Sequence, residues 1–498
     1  MKPWHRRKAS HFFLIFILWL LACSGKPAFA NNLAVANVSL TNRDTVNHYY
    51  DIQLDISWNN SWFISGAPSA TANWDAAWVF VKYSTYSGGV WSDWKHCTLL
   101  NTGYTAPTGS QMSFGITDTA YKGVFIYRSA AGSGSVNWTG AKISWNYGTD
   151  GVSDSATIKV KVFAIEMVYI PQGNFYVGSG GTETSAFYKY PTTTNAYSIS
   201  SEDAINVGAT TDYLYYPLST YGGDQLGPIP AAFPKGYNAF YIMKYDISQK
   251  QYADFLNTLT SSQASSRNPG ASTYRYTISG SWPNFSASRP DRSCNWLQWA
   301  DIFAYADWAA LRPFTELEFE KACRGGQTPV ANEYAWGLSD SPTTTAIAAT
   351  TISGTEDGTE TITLPAGANS CFGNKTFTNG DAGQGPLRCG IFATGSSTRT
   401  TSGAGYYGVM ELSGNLWERP VTVGNPEGRA FTGTHGDGDL TTTPSGWPSS
   451  STATGVGFRG GTWGDGATYA RVSDRYYAAN ADASRDRNLG GRCARTSP

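Results

Sequence analysis

The stretch Gly408-Val-Met-Glu-Leu-Ser-Gly-Asn-Leu-Trp-Glu418 decides how the rest of the chain reads. Two carboxylates, Glu411 and Glu418, flank a turn built on Ser413, Gly414 and Asn415. Ca²⁺ takes about six to eight hard oxygens from carboxylates and backbone carbonyls. A short loop of this kind offers side-chain oxygens at both ends and free carbonyls between them. The plainer reading makes Asn415 and Glu418 buried hydrogen-bonding groups that fix the turn. Two later stretches belong to the same closing core: Gly457-Phe-Arg-Gly-Gly-Thr-Trp463 and Gly490-Gly-Arg-Cys-Ala-Arg495.

Working outward, Arg312-Pro-Phe-Thr-Glu-Leu-Glu-Phe-Glu-Lys-Ala-Cys-Arg324 predicts a helix that starts at Thr315, with Thr315 and Glu318 as its capping box. Its carboxylates read as helix solvation and salt bridges. A second helix is predicted from about Trp296 to Ala309. In Phe240 to Asn257 a strand runs into a helix capped by Ser248 and Gln251. Tyr252, Phe255, Leu256 and Leu259 then fall at i, i+3, i+4 and i+7, one buried stripe. Met167-Val-Tyr-Ile-Pro-Gln-Gly-Asn-Phe-Tyr-Val-Gly178 opens this half of the chain, and a polar, Tyr-rich insertion follows it.

Together these motifs resemble the formylglycine-generating enzyme (sulfatase-modifying factor) family, a variant of the C-type lectin fold, over about Met167 to Arg495. The resemblance implies a calcium site. Its ligands would be the Glu411 side chain, the carbonyls of Gly414 and Leu416, and the Glu418 side chain. Asn369 and Asp381 match a second calcium site loosely. The resemblance also implies that a true formylglycine-generating enzyme holds Cu(I) between two cysteines shortly after a Gly-Gly-Ser-Trp-like motif, thiolates being suited to that soft ion. Here Gly460 to Arg471 contains no cysteine, so no copper is expected. Another branch of the family uses a histidine-rich iron site. From residue 166 onward the chain has His435 alone, so no iron is expected either.

What stands in place of the redox site is a segment of Tyr, Asp, Asn, Ser, Ala, Gly and Arg from 462 to 491. That mixture is similar to an antibody paratope, in which Tyr gives rigid contact area and Ser, Asn and Gly adaptable hydrogen bonds. The segment also resembles the variable region of proteins diversified by a retroelement. Substitution of Asn codons at adenines cannot give Lys, Glu, Gln, Met or Trp, and none of these occurs in 462–491 except Trp463. The expected ligand-binding residues are Trp463, Asp465, Thr468, Tyr469, Tyr476, Tyr477, Asn480, Asp482, Arg485 and Asp486. Arg471, Arg475 and Arg492 are expected in the buried framework, paired with carboxylates such as Asp474 or Glu418.

Residues 31–165 read as an all-β sandwich. Tyr50, Ile52, Leu54, Ile56 and Trp58 alternate on one strand face, and turn clusters separate several similar runs. No catalytic constellation appears there. The overall expectation is α+β: an all-β sandwich, then a C-type lectin domain over 166–498 with a variable region at 460–495.

Residues 1–30 read as a targeting segment: basic Lys2, Arg6, Arg7 and Lys8, an apolar run from Phe12 to Ala22, then Ala28-Phe-Ala30 as a cleavage site. Leu20-Leu-Ala-Cys23 offers a second reading, a lipobox that would tether the protein to a bacterial membrane by a lipid on Cys23. Either way the chain is expected to be exported: secreted, periplasmic or at the cell surface. The other six cysteines permit disulfides there; Cys371 with Cys389 and Cys323 with Cys493 are the expected pairs. A formal net charge of -1 gives no attraction to nucleic acid. The expected partner is a protein or a carbohydrate. A binding or display protein is favoured; the alternative is a formylglycine-generating or related oxidoreductase.

Overall fold

The fold is described from a computed structural model that covers residues 32–66, 72–339, 345–346, 351–352, 362–363, 368–374, 376–377 and 383–498. The leader, Cys23 and Asp381 lie outside the described residues.

The chain is mostly β with few helices. The strands Tyr49–Ile64, Gly132–Asn146, Leu99–Thr105, Ala120–Arg128 and Asn73–Ser87 follow one another as hydrogen-bonded neighbours. The ring closes where Phe63 pairs with Trp74 and Ile64 with Asn73. The sandwich expected from the sequence is therefore a closed β-barrel. Alternation along each strand is the same in both architectures; the closing pair is what separates them. Ile52, Leu54, Ile56 and Trp58 point into the barrel, as their period requires.

The strand Asn73–Ser87 explains why its apolar run is unbroken. Ala77, Val79 and Val81 fill the barrel. Ala76, Trp78 and Phe80, on the opposite face, enter the core of the C-terminal half. Trp78 is fully buried, and its indole N–H donates to the Ala309 carbonyl at 2.8 Å. It packs across Gly115 and Gly123, where a Cβ would fall 2.6 and 2.4 Å from the ring. Arg495 stacks over the same indole at 4.5 Å and donates to the Ile116 carbonyl at 2.6 Å.

The boundary expected at 165/166 falls inside one strand, Thr157–Ile170. That strand pairs with Asn73–Ser87 from Thr157 to Val168. Its end, Met167 to Ile170, also pairs with Phe240–Met243, which in turn pairs with the final strand Ala494–Thr496.

The longer helices of the C-terminal half are α1 (Gln249–Leu256), α2 (Ser261–Arg267), α3 (Trp299–Trp308) and α4 (Glu316–Arg324). The predicted capping boxes of α1 and α4 are present. Tyr252, Phe255, Leu256 and Leu259 are buried together. The helix α3 starts later than predicted, because Trp296 holds a φ of 65° and cannot be helical.

None of the six cysteines from Cys97 onward is disulfide-bonded. Cys323 packs beside Phe319, whereas Cys493 belongs to a different cluster with Ile302 and Leu311. Cys371 packs with Trp463, and the Cys389 thiol meets the Ser293 hydroxyl. The loop they were expected to cross-link is pinned from the Glu411–Glu418 stretch instead. Asn415 accepts the Leu387 N–H at 2.9 Å and donates its own N–H to the Cys371 carbonyl at 2.8 Å. Glu411 accepts the Gly390 N–H at 2.6 Å.

Candidate ligand-binding surface

The closing segment has almost no regular structure: a short 3-10 turn at Ala467–Ala470 and the strand Ala494–Thr496. Its shape is set by buried ion pairs. Helix α4 projects Glu316, Glu318 and Glu320 inward, all essentially without exposure. Glu316 meets Arg459 at 2.8 Å and Arg475 at 2.7 Å. Glu320 meets Arg459 at 2.7 Å and Arg324 at 3.2 Å. Glu318 meets Arg312 at 2.6 Å. These glutamates make the expected salt bridges, but as core groups and not as solvating ones, each neutralised where it stands.

Arg475 is framework as expected, but its partner is Glu316 and not Asp474 or Glu418. Its guanidinium also lies 3.9 Å from the centre of the Phe187 ring. Arg492 does take Glu418, and it reaches Asp246 at 3.0 Å. Arg471 is only half-buried and lies 3.3 Å from the Asn332 amide oxygen.

Burial alone would raise the Glu316 carboxyl. Arg475 and then Arg459, with the Val423 N–H, outweigh it and hold the group below its ordinary value of 4.5. A carboxyl depressed on folding contributes stability above its unfolded pKa and loses it as pH falls. The urea midpoint of the protein is therefore expected to drop steadily from about pH 4.5 downward.

Over this framework lies an aromatic patch. Tyr469, Tyr476 and Tyr477 sit together, with ring centroids 5.8 Å apart for Tyr469–Tyr476, 5.8 Å for Tyr469–Tyr477 and 4.5 Å for Tyr476–Tyr477. Trp417 joins from below, 5.8 Å from Tyr477 and 6.1 Å from Tyr469, and Phe458 packs behind it. Tyr221 comes from the Tyr-rich insertion, 5.7 Å from Tyr477, on a loop whose carbonyl accepts the Ala479 N–H. The outer rings are open to solvent: Tyr476 is 38% exposed and Tyr221 43%.

Asp465 borders the patch. Its carboxyl is pushed up to about 6, chiefly by burial and then by Asp486, while the Trp417 indole N–H donates to it. One of its oxygens, Oδ2, is buried without a partner. Thr468 is exposed and Asn480 half-buried at the same face. Asp482 accepts from Ser484, and Asp486 from the Asn488 N–H, each closing a local turn.

Two of the expected residues stand elsewhere. Trp463 is 1% exposed and packs with Cys371, Leu387 and Leu416 below the surface. Arg485 forks onto Asp301 of α3 with two bonds of 2.8 Å, so it is a strut and not a contact. Three members of the patch were not foreseen. Trp417 and Phe458 lie inside the very motifs that decide the fold. Tyr221 lies in an insertion whose only signal was its tyrosine content.

At the implied calcium site, Glu418 is held by the Arg492 guanidinium. Glu411 and Glu418 each keep one buried oxygen without a partner. Among the described residues, no group of three or more His, Cys, Asp or Glu converges to hold a metal. The cluster around Trp463 contains a single thiol, Cys371; two are needed for the copper chemistry that the resemblance implies.

A comparison with curated proteins returned no match. Among solved structures, Treponema denticola variable protein 1 is similar at 13% identity, over 67% of this chain and 96% of that one, with a TM-score of 0.31. That score is too low to argue a common fold. The family model for the sulfatase-modifying factor enzyme 1-like domain matches residues 155–497. Its span begins at the shared strand and ends at the closing strand, taking in α4, its arginine partners and the patch above them. The chain thus belongs to the sulfatase-modifying factor enzyme 1-like family.

Proposed function

We propose that this is an exported, non-catalytic binding protein that displays the 460–495 segment on a C-type lectin scaffold, with protein or carbohydrate as its ligand. The observation that carries this reading is the patch of Tyr469, Tyr476, Tyr477, Trp417 and Tyr221 held over buried arginine–glutamate pairs. Rigid aromatics on a fixed frame supply contact area at low entropic cost. The exposed positions Thr468 and Tyr476 make few bonds that the frame needs, so they are free to vary. Diversification by a retroelement is the finer form of the proposal, and an adenine-restricted near-copy of the coding segment beside a reverse transcriptase gene would establish it.

The test is a pair of measurements on the purified chain. Replacing Tyr469, Tyr476 and Tyr477 with Ser is expected to leave most of the thermal stability intact. It is expected to reduce binding to any ligand recovered from protein and glycan arrays by at least about tenfold. Incubation with Cu(I), oxygen and a cysteine-containing sulfatase peptide is expected to give no aldehyde product. Enzyme-like turnover in that assay overturns the proposal.

A further inference from the structure

The charges around the tyrosine patch are one-sided. Besides the neighbouring tyrosines, the groups that act on Tyr469 are Asp465 and Asp474, and the group that acts on Tyr477 is Asp465; no cation acts on either ring. The nearby arginines are committed elsewhere. Arg459 and Arg475 hold Glu316, and Arg485 holds Asp301. Arg487 stacks on Tyr274 at 4.4 Å, and Arg471 turns to Asn332. Arg419 is buried beneath Phe458, 4.1 Å from its ring centre, and the only charged group acting on it is Asp482. Asp465, Asp482 and Asp486 meanwhile carry hydrogen bonds but no ion pair among the described residues. The patch therefore presents electron-rich ring faces beside the Asp465 carboxylate.

Building on the binding reading above, we propose that the partner is a protein that docks an arginine side chain on Tyr469, Tyr476 and Tyr477, with the Asp465 carboxylate as its counter-charge. A planar guanidinium stacks on aromatic faces and is drawn to a carboxylate beside them. Asp465 keeps the Trp417 indole N–H and its Oδ2 is buried, so it acts on the guest through its charge.

The sign of the pH dependence follows. Asp465 titrates near 6, raised by burial and by Asp486. Asp474, which faces Tyr469 from the other side, also titrates near 6, raised by burial and held back by the Tyr476 and Thr184 amides and by Arg459. Both are charged above that value and neutral below it. Affinity for a guanidinium falls as pH drops through about 6.

The probe is N-acetyl-arginine amide, compared with N-acetyl-citrulline amide, which has the same shape without the charge. Each is titrated into the full chain and followed by saturation-transfer NMR. The arginine probe is expected to bind about tenfold tighter than citrulline at pH 7.5. The difference is expected to vanish at pH 5 and in Asp465→Asn, whose thermal unfolding is checked in parallel. In Asp486→Asn, which keeps the Asp465 charge, the difference is expected to persist. Equal binding of the two probes, absence of binding by either, or an unchanged Asp465→Asn variant overturns the inference. The display reading is scored separately: a ligand whose binding depends on Tyr469 but not on Asp465 or pH keeps that reading and removes this one.

Discussion

Replacing Glu316 with Ala is expected to destabilise the protein by about 5 kcal/mol. The carboxylate neutralises Arg459 and Arg475 at once, and all three groups are fully buried. Its oxygens also accept the Val423 N–H and the Thr422 hydroxyl at 2.8 and 2.9 Å. Removing one partner of a buried pair costs about 3–5 kcal/mol, because the other charge is left without compensation. Here two guanidiniums would be stranded, although Arg459 keeps Glu320. The loss is therefore expected at the upper end of that range. It compares with a typical domain stability of about 5–15 kcal/mol. Urea unfolding followed by tryptophan fluorescence measures it. A Glu316→Ala variant within about 1 kcal/mol of the parent would show that the ion pairs do not set the frame. Glu316→Gln keeps the acceptor oxygen and the volume, and is expected to lose less.

The second large effect is expected at Trp78. Truncation to Ala removes the widest side chain at the junction of the barrel and the C-terminal core, and Phe or Trp to Ala in a core costs about 3–5 kcal/mol. It also strands the Ala309 carbonyl and strips the stacking surface from Arg495. Gly115 and Gly123 make room for the ring, Arg495 sharing the space at Gly115. The expected signature is a loss of cooperativity, with the barrel melting apart from the rest in calorimetry. A single transition at the parental temperature would mean that backbone pairing alone unites the two halves.

Much of this architecture was legible in the sequence. The alternation from Tyr50 to Trp58 pointed the right residues inward, because a half-buried strand must repeat every second residue. The capping boxes at Ser248 and Thr315 marked helix starts through local hydrogen bonds alone. The motif from Glu411 to Glu418 was found, and its Glu411 also holds a loop amide, that of Gly390. What escaped was long-range. Barrel closure depends on Phe63 meeting Trp74, and no period records that. The burial of Glu316 and Glu320 of α4 was hidden because Arg459 lies 143 and 139 residues away from them in the chain. Trp463 looked like a surface anchor because a Gly-rich loop usually lies outside, whereas this one is drawn under by the Asn415 carbonyl at 2.9 Å. Tyr221 reaches the patch across an insertion whose path only the folded chain reveals.

The strand Thr157–Ile170 is laced to the barrel along one edge and to Phe240–Met243 along the other. A pull on a bound partner would consequently load that ladder in shear, many amides resisting together, with no linker to swivel or stretch. The binding face and the barrel behave as one stiff lever, so the direction in which the barrel is anchored fixes the direction in which the tyrosines are offered.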